Sequence, residues 1–156
     1  ENISGRFGEW NVEFDHFQGT SADMLRYAVL AWWKHIGSTK ASGITKLMFS
    51  EAQNFPEIAQ FYQQEVILPG RALIRRILQR GMERGEFRQM DLEYGTYIVL
   101  APMMFLMLWN NSMGPCSLPD EVFTPEQYIR TQIDNILHGL CVRPAAGATP
   151  PPSQNP

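Results

Sequence analysis

The 156-residue chain lacks the marks of several protein classes. It has two cysteines, Cys116 and Cys141, far apart and without C-x-x-C spacing. Two reduced thiols in a cytosolic protein is the simplest reading, with a single disulfide left open. There is no basic surplus: 13 Lys and Arg stand against 16 Asp and Glu, for a net charge of −3. Nucleic-acid binders that act alone need a basic face to meet phosphates, so these residues by themselves make a poor grip on DNA. No basic start followed by an apolar run opens the chain, so a signal peptide is not expected. The longest apolar run, Tyr97 to Trp109, is shorter than the ~18 residues of a membrane span and contains Pro102. A cytoplasmic protein with a buried core helix follows, with no membrane contact.

Catalytic and metal signatures are scarce as well. G-x-S-x-G, Walker and H-E-x-x-H patterns are absent, so nothing supports an enzyme. Glu13-x-x-His16 has the spacing of half a carboxylate-bridged di-iron site, but such a site needs a second copy and two further glutamates. With one copy it reads as coincidence, and His35 and His138 stand alone. No metal and no cofactor are expected.

What the chain does contain is large apolar volume. Hydrophobic residues make up 44%, including nine Phe, five Tyr, four Trp and eight Met. Their spacing is helical. Ile3, Phe7, Trp10, Phe14 and Phe17 step by four and three along a first helix. Thr20 caps a second, with Leu25, Val29, Trp32, Trp33 and Ile36 on one face. A short third helix, about 42–53, carries Ile44, Leu47 and Met48. Asn54 is the expected cap of a long fourth helix reaching about Arg84, with Pro56 in its first turn and Pro69-Gly70 expected to kink or split it. Gly85 is placed to stop it. Asp91 caps a fifth helix to about Ser112, and Thr124-Pro125-Glu126-Gln127 starts the sixth. From Arg143 onward the Pro, Ala and Gly content predicts a disordered tail. The arginines Arg76, Arg80, Arg84 and Arg88 step by four and read as a solvated face.

The fifth helix is apolar nearly all round. One face carries Tyr94, Ile98, Ala101, Phe105, Leu108 and Trp109; another carries Tyr97, Leu100, Met104 and Met107. A domain this small is expected to cover one face itself and to leave the other to a partner chain.

The central stretch resembles the ligand-binding domain of TetR-family regulators, in the AcrR/AefR-like branch. The resemblance rests on Ile44-Thr45-Lys46-Leu47-Met48-Phe49-Ser50-Glu51-Ala52 and Asn54-Phe55-Pro56-Glu57-Ile58. It continues through Phe61-Tyr62, Glu65-Val66 and Pro69-Gly70 to Arg80-Gly81-Met82-Glu83-Arg84-Gly85-Glu86-Phe87-Arg88, and spans about Thr20 to Leu140. It implies an all-α bundle of about six helices that binds a small effector and pairs two subunits through its last two long helices. It also implies that DNA is read by a helix-turn-helix unit, which does not occur within these residues. On this basis 1–18 is the remnant of a connecting helix, 19–142 the ligand-binding and dimerisation domain, and 143–156 a tail.

With that resemblance, Trp32, Trp33, Met48, Phe61, Tyr62, Phe105 and Trp109 are candidate ligand-binding residues. Glu65, one turn beyond Phe61 and Tyr62, is a candidate polar anchor for a cationic or hydrogen-bonding ligand. The expected homodimer interface is Tyr97, Leu100, Met104 and Met107 with Ile129, Ile133, Ile136 and Leu140. The effector is expected to be small and apolar or aromatic, and the parent protein a repressor. A helical carrier of hydrophobic ligands, without a regulatory role, stays open as the alternative.

Overall fold

In the computed structural model, residues 3–143 are described, and the expected tail beyond Arg143 lies outside them. The described residues are all-α, apart from one isolated antiparallel bridge between Phe87 and Cys141. The helices are α1 (Ile3–Asp15), α2 (Ser21–Trp32), α3 (Ser42–Glu51), α4 (Pro56–Tyr62), α5 (Leu68–Glu83), α6 (Leu92–Asn110) and α7 (Pro125–Leu140). Two π-helical turns extend them: Trp33–Gly37 continues α2, and Gln63–Ile67 joins α4 to α5. The α4–α5 pair is thus one long helix, and the bundle has the six helices expected.

Local chemistry accounts for most of the ends. The Thr20 side chain accepts from the Asp23 N–H, and the Asp91 side chain accepts from the Tyr94 N–H, so both caps are made as expected. Gly85 adopts φ +70°, the left-handed conformation that ends α5 where a side chain would be strained. The start of α4 differs. Phe55, not Asn54, is its cap residue, and the Asn54 amide turns back to donate to the Glu51 carboxylate.

The expected break near Pro69-Gly70 takes the form of the π-helical turn just before it. Pro69 has no N–H to return to the Glu65 carbonyl, so the α-helical ladder cannot continue through that step. Widening the preceding turn keeps the helix continuous at the cost of one extra residue.

The hub is α5, which packs on α6, α2 and α1. Ile77 and Leu78 of α5, Met24 and Leu25 of α2, Leu106 of α6 and Ile129 of α7 are wholly or almost wholly buried in one core. Phe87 joins it from the α5–α6 loop and lies flat on Gly81, where a Cβ would meet its ring at 2.1 Å. The bridge at Phe87 brings the end of α7 onto that loop: Arg88 N donates to Leu140 O, and Val142 N to Glu86 O.

The arginine row stays open to solvent, with Arg84 and Arg88 exposed, but it is also tied into the fold. Arg76 pairs with Asp15 and donates to the Asn11 carbonyl; Arg80 donates to the Ser21 hydroxyl and the Gly19 carbonyl; Arg88 donates to the Gly139 carbonyl. Arg84 forms an ion pair with Glu86, whose carboxylate accepts the Ser21 N–H at 2.8 Å. Three of the four arginines thus stitch α5 to the end of α1 and the α1–α2 turn.

Candidate functional site

A half-enclosed cavity of about 390 Å³ lies between α1, α2, α3, α5 and α6. That volume is within the range of small-molecule pockets, roughly 300–1,000 Å³. Phe7 and Trp10 line it from α1, Trp32 and Ile36 from α2 and its π turn, Thr45 from α3, and Leu100, Met104 and Met107 from α6. Its walls are aromatic rings, branched aliphatics and thioethers, so it suits an apolar guest.

The π turn shapes one wall. Tyr62, Val66, Gly70 and Ile74 all line the cavity, and they step by four. In an uninterrupted α-helix each such step drifts about 40°, so a run of them winds off one side. The wide turn at Gln63–Ile67 absorbs part of that drift and keeps the residues in one wall. Gly70 keeps the wall low, since a Cβ there would stand 3.3 Å from the Phe7 ring.

Two polar features interrupt the lining. Inside, Thr45 and Tyr62 share a 2.5 Å hydrogen bond between hydroxyls. Burial pushes the Tyr62 phenol pKa up, against a smaller opposing effect of the Thr45 hydrogen bond, so Tyr62 is a neutral phenol. At the half-exposed side, Arg71 donates to the Tyr97 hydroxyl at 2.6 Å.

The structure gathers some of the expected ligand-binding residues and separates others. Trp32 and Tyr62 line the cavity. Trp33 is buried behind Trp32 and does not line it, and Met48 is half-buried on α3 away from it. Phe61 points outward, 66% exposed. Glu65 lies exposed on the π turn, outside the cavity. An unbroken helix would put residue 65 beside 61 and 62, and the wide turn breaks that register. Phe105 and Trp109 belong to a separate aromatic cluster with Phe123 and Tyr128, with ring centroids 5.5–5.8 Å apart.

The two faces of α6 are not divided within the chain as expected. Tyr97, Leu100, Met104 and Met107, expected at a subunit interface, line the cavity of their own chain. The more outward face is the other one: Tyr94 is 71% exposed and Ile98 67%, with Phe105 continuing it, while Ala101 stands at the border and also lines the cavity. On α7, Ile129, Ile133 and Leu140 are buried by their own chain and Ile136 is half-buried. A helix apolar on every side carries no periodic signal of which side is inward. Residues not expected at the cavity include Phe7, Trp10, Thr45, Val66 and Arg71. The four-residue spacing after Tyr62 was the available signal for Val66, Gly70 and Ile74.

By length and hydropathy, α6 is long and apolar enough to cross a membrane. In the fold it packs along α5, α3 and α7. No group of three or more His, Cys, Asp or Glu able to hold a metal occurs among the described residues, and both cysteines are exposed free thiols.

An all-helical domain closed round a small, mostly apolar cavity, with every wall a different helix, is built as a ligand-sensing regulatory domain. Residues 18–122 match the family described as Tetracyclin repressor-like, C-terminal domain, and the chain belongs to that family. Comparison with curated proteins and with solved structures gives no match.

Proposed function

We propose that the chain is the effector-sensing and dimerisation domain of a TetR-family transcriptional repressor of the AefR-like branch, acting in the cytoplasm and without enzymatic activity. The observation that carries the reading is the cavity, into which α1 inserts Phe7 and Trp10. A small apolar or aromatic effector enters there. It shifts the regulator only through unequal affinity for two conformations. An effector that needs more room displaces Phe7 and Trp10, and with them α1, the element nearest to a helix-turn-helix unit on the N-terminal side. Arg76 holds α1 to α5 through Asn11 and Asp15, so the movement of α1 is opposed by those contacts and not by core packing alone.

Two copies pair through the outward face of α6, with Tyr94, Ile98 and Phe105 at its centre and the exposed side of α7 beside it. That face is apolar, and pairing removes it from water. The test uses the domain joined to its helix-turn-helix unit. An apolar compound that quenches tryptophan emission is expected to release operator DNA, and Val66→Phe, which puts a ring into the cavity between Tyr62 and Gly70, is expected to weaken that release while keeping DNA binding. Release by a compound that binds equally well to Val66→Phe would overturn the proposal; so would binding to wild type without any change in DNA affinity.

A further inference from the structure

The cavity also indicates the charge of its guest. Of the residues that line it, Arg71 alone is ionised. Its charge shares a single carboxylate with a second arginine, Arg75, which holds that carboxylate more closely. The hydrogen-bond partner of Arg71 is the Tyr97 hydroxyl and not a carboxylate, and the same guanidinium stands 5.2 Å from the Tyr97 ring centroid. The neighbouring carboxylate, Glu93, is 3.6 Å from Arg71 but is engaged at 2.8 Å by Arg75. Glu93 is also half in solvent, where such a pair counts for little. Arg71 itself is less exposed, at 30% of its side chain.

Arg71 and the Thr45–Tyr62 hydroxyl pair mark opposite ends of the cavity wall. Tyr62 and Arg71 lie nine positions apart along one helix, roughly 13 Å at about 1.5 Å per residue. Between them lie Val66, Ile67 and Gly70, faced by Leu100 and Met104 of α6, with no polar side chain among them. A guest that satisfies this wall is elongated, apolar along its body, and anionic where it meets the guanidinium. A planar carboxylate matches the guanidinium fork, and a cation there would be repelled.

We infer that the effector is an amphipathic monocarboxylate, its carboxylate on Arg71 and its apolar body reaching inward toward Tyr62. This rests on the reading of the cavity as an effector site.

The test compares decanoate, 1-decanol and decylamine at pH 7.5 and submicellar concentration, by quenching of tryptophan emission, in wild type, Arg71→Gln and Arg75→Gln. Decanoate is expected to bind at least about tenfold more tightly than decanol, as a charge-assisted hydrogen bond allows. Decylamine is expected to bind most weakly. Arg71→Gln should erase the preference for the acid over decanol, and Arg75→Gln, outside the cavity, should preserve it. If acid and alcohol bind equally, or if the preference survives Arg71→Gln, the carboxylate assignment falls and the apolar site stands. If none of the three binds wild type, both fall together.

Discussion

At the scale of single residues, the least replaceable positions are those where one atom more would collide. Gly81 lies under the Phe87 ring, and Phe87 is almost wholly buried where the loop after α5 returns to the core. Gly81→Ala is expected to lower unfolding stability by about 1–3 kcal/mol, the usual cost of overpacking, measured by urea denaturation. Unchanged stability would mean the ring has room to move. Glu86 makes a second prediction. Its partial burial raises its pKa, but the Ser21 hydrogen bonds and the charges of Arg84 and Arg80 outweigh that and hold it below the ordinary carboxylate value. A group depressed in the folded state stabilises above its unfolded pKa and loses that stabilisation as pH falls through its folded value. Wild type should therefore have the higher melting temperature than Glu86→Gln near neutrality, and the gap should narrow on acidification below the carboxylate range. A gap independent of pH would contradict this.

At the scale of elements, the sequence made the helices legible and their faces less so. Caps with a short polar side chain, Thr20 and Asp91, were readable because the bond each makes is local, three residues long. The break near Pro69 was readable because proline removes a donor, whatever surrounds it. Its form, a widened turn and not a kink or split, depended on what α4 and α5 pack against. That form decides which residues line the cavity, and it is why Glu65 lies outside it and Arg71 on it. Inserting one alanine after Gln64, an exposed residue of the π turn, adds a residue the turn does not absorb and rotates Tyr62 by about 100° relative to Ile74. The variant is expected to keep its helical circular dichroism and to lose at least about tenfold in affinity for apolar ligands, the scale of a displaced hydrogen-bonding and packing partner. Retained affinity would show that the turn does not set the wall. The contacts of the arginine row were hidden from the sequence for a related reason. Spacing of four shows that Arg76, Arg80 and Arg84 share a face, but only the fold shows the α1–α2 turn lying across it.

At the scale of the whole molecule, the all-helical bundle and the family were both present in the sequence, and the orientation of α6 was not. Total hydrophobicity says that α6 must be covered on two sides; its periodicity is too weak to say by what. The fold gives one side to the cavity and leaves Tyr94, Ile98 and Phe105 outward. Ile98→Glu is expected to convert the proposed dimer to monomer in sedimentation at micromolar concentration without unfolding it, because the position is exposed within its own chain. A wild-type protein that sediments as a monomer would contradict the pairing.

The central claim is that the space between α1, α3, α5 and α6 holds a small apolar molecule. The most direct measurement is a titration with N-phenyl-1-naphthylamine, a neutral apolar fluorophore, in wild type and Val66→Phe, with melting temperature followed in both. One bound molecule per chain in wild type and a loss of binding in Val66→Phe, at similar melting temperature, is the predicted result. Equal binding by the two proteins, or none by wild type, would contradict it.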